Sequence, residues 1–249
     1  AFATELAIMV KLRSPRVVQV LGVVTTDPTW LGFVVEYMAG GTLRARLDET
    51  RAEHGEGAVV AADEAQKRRW LGDVALGMQY LYARGVEHRD LKTLNVLLDE
   101  ARRRCKVTDF GLSKSNDLNT AATTMATQQG GGAKGTPAYM APELLGANAF
   151  TEKTDVYAFA ILIWEVLDGG VPWPGINPMQ ARAPRPAFLA PIARLFRPSQ
   201  IGMKVLVQKA RPPVPEDAPP DLVALMERCW ADDPAARPTF DACRSWLAE

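Results

Sequence analysis

Apolar positions along the chain change period several times, and each change marks an element. Near the start, Phe2, Ile8, Met9 and Leu12 fall within about 60° of Glu5 at 100° per residue, which predicts a helix with an acid in the middle of its inner face. Such a charge is costly unless a cation meets it, and the sequence supplies no obvious one nearby. Two strand-like runs follow, from Val17 to Val24 and from Leu31 to Tyr37. The turn-forming Thr26-Asp27-Pro28 between them predicts a hairpin. Gly40-Gly41 ends the second strand, and Thr42 opens a short polar helix leading to a loop around His54-Gly55-Glu56-Gly57.

A stronger helical pattern starts at Asp63, which with Gln66 makes a capping box. It continues through Leu71, Val74, Met78, Leu81 and Tyr82 and ends at Gly85. Two short β-type runs, Val96 to Leu98 and Cys105 to Val107, flank a charged turn. From Ser113 to Lys134 the chain is polar and aperiodic, a loop long enough to suggest a function. Between Asp155 and Leu167 it is apolar nearly all round, the mark of a helix buried on every side. Further on, Asp221 is expected to cap a helix carrying Leu222, Leu225, Met226 and Cys229 on one face. Pro238 is expected in the first turn of the last helix. No internal repeat is present.

Composition narrows the classes. The 249 residues are 47% hydrophobic and 23% charged, with 29 basic and 29 acidic side chains. That balance gives no net field for nucleic acid or an anionic membrane, so no nucleic-acid partner is expected. Cys105, Cys229 and Cys243 lack CxxC spacing, which argues against a disulfide framework or zinc site and for a reducing compartment. The longest wholly apolar run, Val156 to Trp164, is far short of the roughly 20 residues of a membrane span. The first dozen residues are too short and acid-interrupted for a signal peptide. A soluble, cytoplasmic protein is expected, and Ala1 in place of Met suggests a fragment or processed chain.

Three motifs occur in order: His88-Arg89-Asp90-Leu91-Lys92-Thr93-Leu94-Asn95, then Asp109-Phe110-Gly111, then Ala141-Pro142-Glu143. Any one alone is weak. Together, with strand-like segments between them and the buried helix after them, the chain resembles the eukaryotic protein kinase family. The resemblance covers all but about residues 181–200. It implies an α+β, two-lobed protein kinase fold, with residues 1–37 as the remaining part of a small β lobe and 38–249 as a complete, mainly helical large lobe. It also implies ATP and Mg²⁺ as cofactors and proteins as substrates.

The residue types suit phosphoryl transfer, in which positioning and charge stabilisation dominate over covalent chemistry. Asp90 would accept or orient the proton of the substrate hydroxyl, and Lys92 would reach the γ-phosphate. Asn95 and Asp109 carry the oxygens that a hard cation such as Mg²⁺ requires. By resemblance, Glu5 is the small-lobe acid that pairs with a strand lysine, which accounts for its apolar surroundings. Glu36, Tyr37 and Met38 correspond to the hinge that bonds adenine through its backbone, with Val35 as gatekeeper and Leu97 beneath the base. Met9, Val20, His88 and Phe110 match the regulatory spine anchored by Asp155, which makes His88 a packed structural histidine rather than a base. Glu143 and Arg237 match a buried large-lobe ion pair.

Lys92 and Gly135-Thr136 are similar to Ser/Thr rather than tyrosine kinases, and the motifs look most like the tyrosine-kinase-like group. Arg89 beside Asp90 implies activation by phosphate on the loop, with Thr120, Thr123, Thr124 and Thr127 as candidates. The sequence departs from the family in two places. A Gly-rich loop and the strand lysine would precede Glu5, yet only four residues do, so this chain alone is expected to be inactive. Residues 181–200, rich in Pro, Arg and Ala, interrupt an otherwise family-like segment and read as an insertion or a retained intron. The rival function is a pseudokinase or scaffold that binds partners without catalysis, against which Asp90, Asn95 and Asp109 argue.

Overall fold

The computed structural model describes residues 10–27, 30–54, 64–110, 136–147, 150–173 and 200–248. Strands β1 (Val20–Asp27) and β2 (Trp30–Val35) lead into helices α1 (Leu43–His54) and α2 (Glu64–Tyr82). Strands β3 (Val96–Leu98) and β4 (Cys105–Val107) follow. Helices α3 (Pro142–Ala147), α4 (Glu152–Asp168), α5 (Gln200–Val207), α6 (Pro220–Cys229) and α7 (Phe240–Leu247) complete the order. Among the described residues no helix is long and apolar enough to cross a membrane.

The expected hairpin is present: β1 and β2 are antiparallel, with Val20 opposite Val35 and Asp27 opposite Trp30. Its first strand starts later than Val17. Val17 and Val18 pair instead with β4, where the Val18 N–H donates to the Val107 carbonyl at 2.8 Å and the Val107 N–H donates to the Arg16 carbonyl at 3.0 Å. A β-branched run shows strand propensity but not its partner, so these valines read as continuous with β1. In the second ribbon Leu97 lies opposite Lys106, flanked by the pairs Val96–Val107 and Leu98–Cys105. The period-2 alternation buries those four flanking residues and turns Leu97 and Lys106 to the other, half-buried face.

Helix α4 is the centre of the core, with every residue from Thr154 to Leu167 buried. It begins three residues before Asp155 because Thr151 and Thr154 form a reciprocal capping box, and it ends at Gly169, whose φ of 80° is left-handed. Phe240 of α7 wedges between two helices, its ring centroid 5.8 Å from Tyr82 of α2 and 5.7 Å from Phe159 of α4. Helix α2 also crosses the Arg16–Val18 segment closely at Gly77, where a Cβ would sit 2.6 Å from the Arg16 carbonyl oxygen.

Two helix starts differ from expectation. Asp221 lies in the first turn of α6 but does not cap it, since Pro219 holds that position and Pro220 has no N–H to satisfy. Its carboxylate is free to receive Arg68 Nη1 of α2 at 2.5 Å. Pro238 precedes α7 rather than entering it. The cap is Thr239, whose hydroxyl accepts the Ala242 N–H at 3.3 Å. Glu5, Met9, Pro28, Gly55–Gly57, Asp63, the Ser113–Lys134 loop with its four threonines, Gly135 and residues 181–199 lie outside the described residues.

Candidate active site

The catalytic-loop segment is built on α4. Asp155, 3% exposed near the start of that helix, accepts the His88 N–H at 2.9 Å and the Tyr82 hydroxyl at 2.6 Å on Oδ2, and the Arg89 N–H at 3.0 Å on Oδ1. Burial pushes its carboxyl up, opposed by these donors. Arg89 is thereby held at a φ of 69°, a left-handed conformation that costs energy and persists where surroundings impose it. His88 is fully buried, and burial lowers its pKa, keeping the imidazole neutral. Its Nδ1 accepts the Asp90 N–H at 3.3 Å, which leaves the proton on Nε2 and fits a packed rather than a proton-transferring histidine.

Three predicted residues meet as a triangle. Lys92 Nζ donates to Asp90 Oδ2 at 2.6 Å and to Thr136 Oγ1 at 2.9 Å, and the Thr136 hydroxyl donates to Asp90 Oδ1 at 2.8 Å. Asn95 closes on the same carboxylate, its Nδ2 donating to the Asp90 carbonyl at 2.9 Å and to Oδ2 at 3.3 Å. Both carboxylate oxygens of Asp90 are thus fixed while its side chain stays 29% exposed, open to an incoming hydroxyl. The Thr108 N–H donates to the Asn95 carbonyl at 3.0 Å, and Asp109, exposed at a φ of 57°, follows Thr108 directly. An amide oxygen and a carboxylate make a hard donor pair that suits Mg²⁺, which ordinarily keeps waters and substrate phosphates as its remaining ligands. Among the described residues no group of three or more His, Cys, Asp or Glu side chains is placed to hold a metal.

The hinge residues follow β2. Glu36 is tied by its N–H to the Gln19 carbonyl at 3.0 Å, and its carboxylate accepts the Gln19 N–H at 2.7 Å and Lys106 Nζ at 2.8 and 2.7 Å. Val35 is 45% exposed, and Met38 and Leu97 are half-buried. The hinge joins β3 through Gly40 and Gly41. The Gly40 N–H reaches the Leu98 carbonyl at 3.1 Å, and a Cβ on Gly40 would fall 2.0 Å from the Asp99 carbonyl oxygen. Lys106 lies directly across from Leu97 in the β3–β4 ribbon.

Arg89 meets Glu87 at 2.7 Å and stacks its guanidinium 5.0 Å from the Phe150 ring. Val20 and Phe110 are buried, and Arg237 grips Glu143 with both terminal nitrogens at 2.6 and 2.9 Å. A cluster that the sequence reading missed centres on Glu165, a lone acid in the apolar run of α4, which receives Arg44, Thr93 and Tyr139.

Residues 1–247 match the family described as protein tyrosine and serine/threonine kinase. The chain belongs to the protein kinase family. It is 36% identical over 241 residues to the serine/threonine-protein kinase CTR1 of Arabidopsis thaliana, covering 96% of this chain and 25% of that one. It is 32% identical over 239 residues to the serine/threonine/tyrosine-protein kinase HT1 of the same plant, covering 96% and 52%. To the dual specificity protein kinase shkA of Dictyostelium discoideum it is 33% identical over 250 residues, covering 100% and 41%. The kinase domain thus spans between a quarter and about half of these curated relatives. The matched span includes the three motifs.

Proposed function

We propose that the protein transfers the γ-phosphate of ATP to Ser and Thr hydroxyls of protein substrates. The observation that carries this reading is the Asp90–Lys92–Thr136 triangle: a carboxylate partly open to solvent, oriented by an ammonium and a hydroxyl rather than consumed by a buried ion pair. In the reaction the substrate oxygen bonds to the γ-phosphorus, the bond from that phosphorus to the β–γ bridging oxygen breaks, and ADP departs. The hydroxyl proton passes to Asp90. Lys92, within 2.6 Å of Asp90, offsets negative charge gathering on the transferred group and keeps the carboxylate aimed. Asn95 and Asp109 would hold Mg²⁺, which neutralises phosphate charge when bound. The Glu36–Met38 backbone would receive adenine above Leu97, with Val35 beside it and Glu5 completing the phosphate end.

Ser/Thr specificity rests on Lys92 and Thr136, and the similarity to CTR1, HT1 and shkA is compatible with the tyrosine-kinase-like group. The test is Mg·ATP-dependent phosphorylation by the full-length protein and its Asp90→Asn variant, followed by phosphoamino-acid analysis. A positioned proton acceptor contributes roughly 10² to 10⁴ in rate, so Asp90→Asn should lose that much turnover with nucleotide affinity nearly unchanged. Turnover near wild type would remove Asp90 from the mechanism, and predominant phosphotyrosine would overturn the substrate class.

A further inference from the structure

We propose that Cys229 and Cys243 are a reversible dithiol–disulfide couple, which a peroxide-class oxidant closes to clamp helix α6 to helix α7.

The three cysteines are spaced without a motif, yet the fold brings two of them together. Cys229 Sγ at the end of α6 lies 3.7 Å from Cys243 Sγ in the first turn of α7, and both residues are fully buried. Cys105 stands apart, its Sγ donating to the Trp70 carbonyl at 3.4 Å. A disulfide sets its sulfurs about 2.05 Å apart, so contact becomes bond with under about 2 Å of closure.

Other contacts hold the two sulfurs within reach. The Trp246 indole N–H, toward the end of α7, donates to the Asp221 carbonyl in the first turn of α6 at 3.1 Å. The start of α6 thus meets the end of α7, while the end of α6 meets the start of α7. Each helix is also seated on its own support. Phe240 of α7 packs on Tyr82 of α2, and Asp221 of α6 receives Arg68 of the same helix. Between the cysteines, 14 residues apart, the chain carries Arg237 with its grip on Glu143.

The chemistry needs only the two thiols and the oxidant. Hydrogen peroxide converts one thiol to a sulfenic acid and leaves as water. The second sulfur then attacks the first, the S–O bond breaks and another water departs, so the pair loses two hydrogens and two electrons. A partner already in contact makes that second step intramolecular, and oxidation stops at the disulfide instead of running on to the irreversible sulfinic acid. Burial pushes the Cys229 thiol well above its ordinary range, which holds it neutral and the couple reduced while the fold is closed. Oxidant enters when α7 opens locally, a helix of eight residues with Asp241, Ala242, Arg244 and Ser245 exposed. In a reducing compartment such bonds are transient and report redox state.

The experiment treats the reduced full-length protein with hydrogen peroxide, then denatures, alkylates and digests it with trypsin. One peptide, Cys229 to Arg244, holds both sulfurs, because Pro238 blocks cleavage at Arg237. It should be lighter by two hydrogens and unalkylated, and dithiothreitol should restore both alkylations. Oxidation should raise the thermal midpoint of the kinase domain on the order of 5–10 °C, since the bond constrains the unfolded chain, and reduction should reverse the rise. Cys243→Ala should abolish the shift and let Cys229 proceed to sulfinic acid, whereas Cys105→Ala should keep the shift.

Both cysteines still alkylated after prolonged peroxide, or pairing that occurs only in urea, overturns the couple. A disulfide that leaves the midpoint unchanged or lowers it overturns the clamp, as does an undiminished shift in Cys243→Ala. The wild-type mass and midpoint decide the matter even if that variant fails to fold. Neither readout depends on phosphoryl transfer.

Discussion

Asp73 of α2 shows how burial and charge compete at a single residue. It is 3% exposed, lies in ion-pair distance of Arg16 Nε at 2.7 Å and Arg104 Nη2 at 3.0 Å, and accepts the Cys105 N–H at 3.1 Å. Desolvation still outweighs these partners and raises its carboxyl from 3.8 to about 6. A raised carboxylate pKa means the folded state holds the proton more tightly than the unfolded chain. The stabilisation is complete below the ordinary value and is lost as pH rises through about 6. The thermal midpoint of wild type minus that of Asp73→Asn should therefore fall from about pH 4 to 6.5 and level off above. A difference that is flat or rises over that window would assign the titration elsewhere. Sequence alone reveals neither this site nor the Glu165 cluster, because their partners come from positions 16, 73 and 104, and 44, 93, 139 and 165. Asp90, Lys92, Asn95 and Asp109 are legible, since a loop that performs chemistry keeps its groups close along the chain. Glu165 does leave a local trace: an acid in a helix with no outward face must find a partner inside.

At the scale of elements, hydrophobic pattern locates α2, α4 and α6 and local start signals at Thr42 and Pro238 locate α1 and α7, while the ends depend on caps that hydrophobic pattern does not encode. Thr151 and Thr154 move the start of α4 ahead of its apolar run, and a pair of prolines takes the role expected of Asp221. The lead-in to β1 reads as strand without revealing its partner β4, a contact about 90 residues away that no local window contains. Helix α2 makes the distinction between propensity and packing testable. A Cβ added at Gly72 would have nothing within 4 Å, whereas one on Gly77 would meet the Arg16 carbonyl oxygen at 2.6 Å and Val107 Cγ2 at 3.0 Å. Gly72→Ala should stabilise by about 0.5–1 kcal/mol through helix propensity alone. Gly77→Ala should instead destabilise by about 1–3 kcal/mol, because the nearest neighbour is backbone and cannot rotate away. Urea unfolding of both variants decides it, and equal shifts would mean that α2 does not lie tightly on the Arg16–Val18 segment.

For the whole molecule, the buried Arg237 ties distant parts of the chain. Its side chain is fully buried and reaches Glu143 of α3, 94 residues away, together with the carbonyls of Ala231 and Lys153. Removing one member of such a pair leaves a charge uncompensated, at a cost of about 3–5 kcal/mol. Since Glu143 keeps 22% of its side chain exposed, Glu143→Gln should fall near the lower end, about 3 kcal/mol. For a domain of this size that lowers the thermal midpoint on the order of 6–12 °C by calorimetry, and a shift under about 2 °C would show that the pair is dispensable. Asp155 has a consequence of another kind, concerning time. Its carboxylate accepts the main-chain amides of His88 and Arg89 from inside the central helix, so both amides stay bonded while α4 stays in place. Fraying of the surface does not release them. The base of the catalytic loop thus lacks a cheap open state, its amides exchange hydrogen with water only when the domain itself comes apart, and the working lifetime of the site is that of the fold.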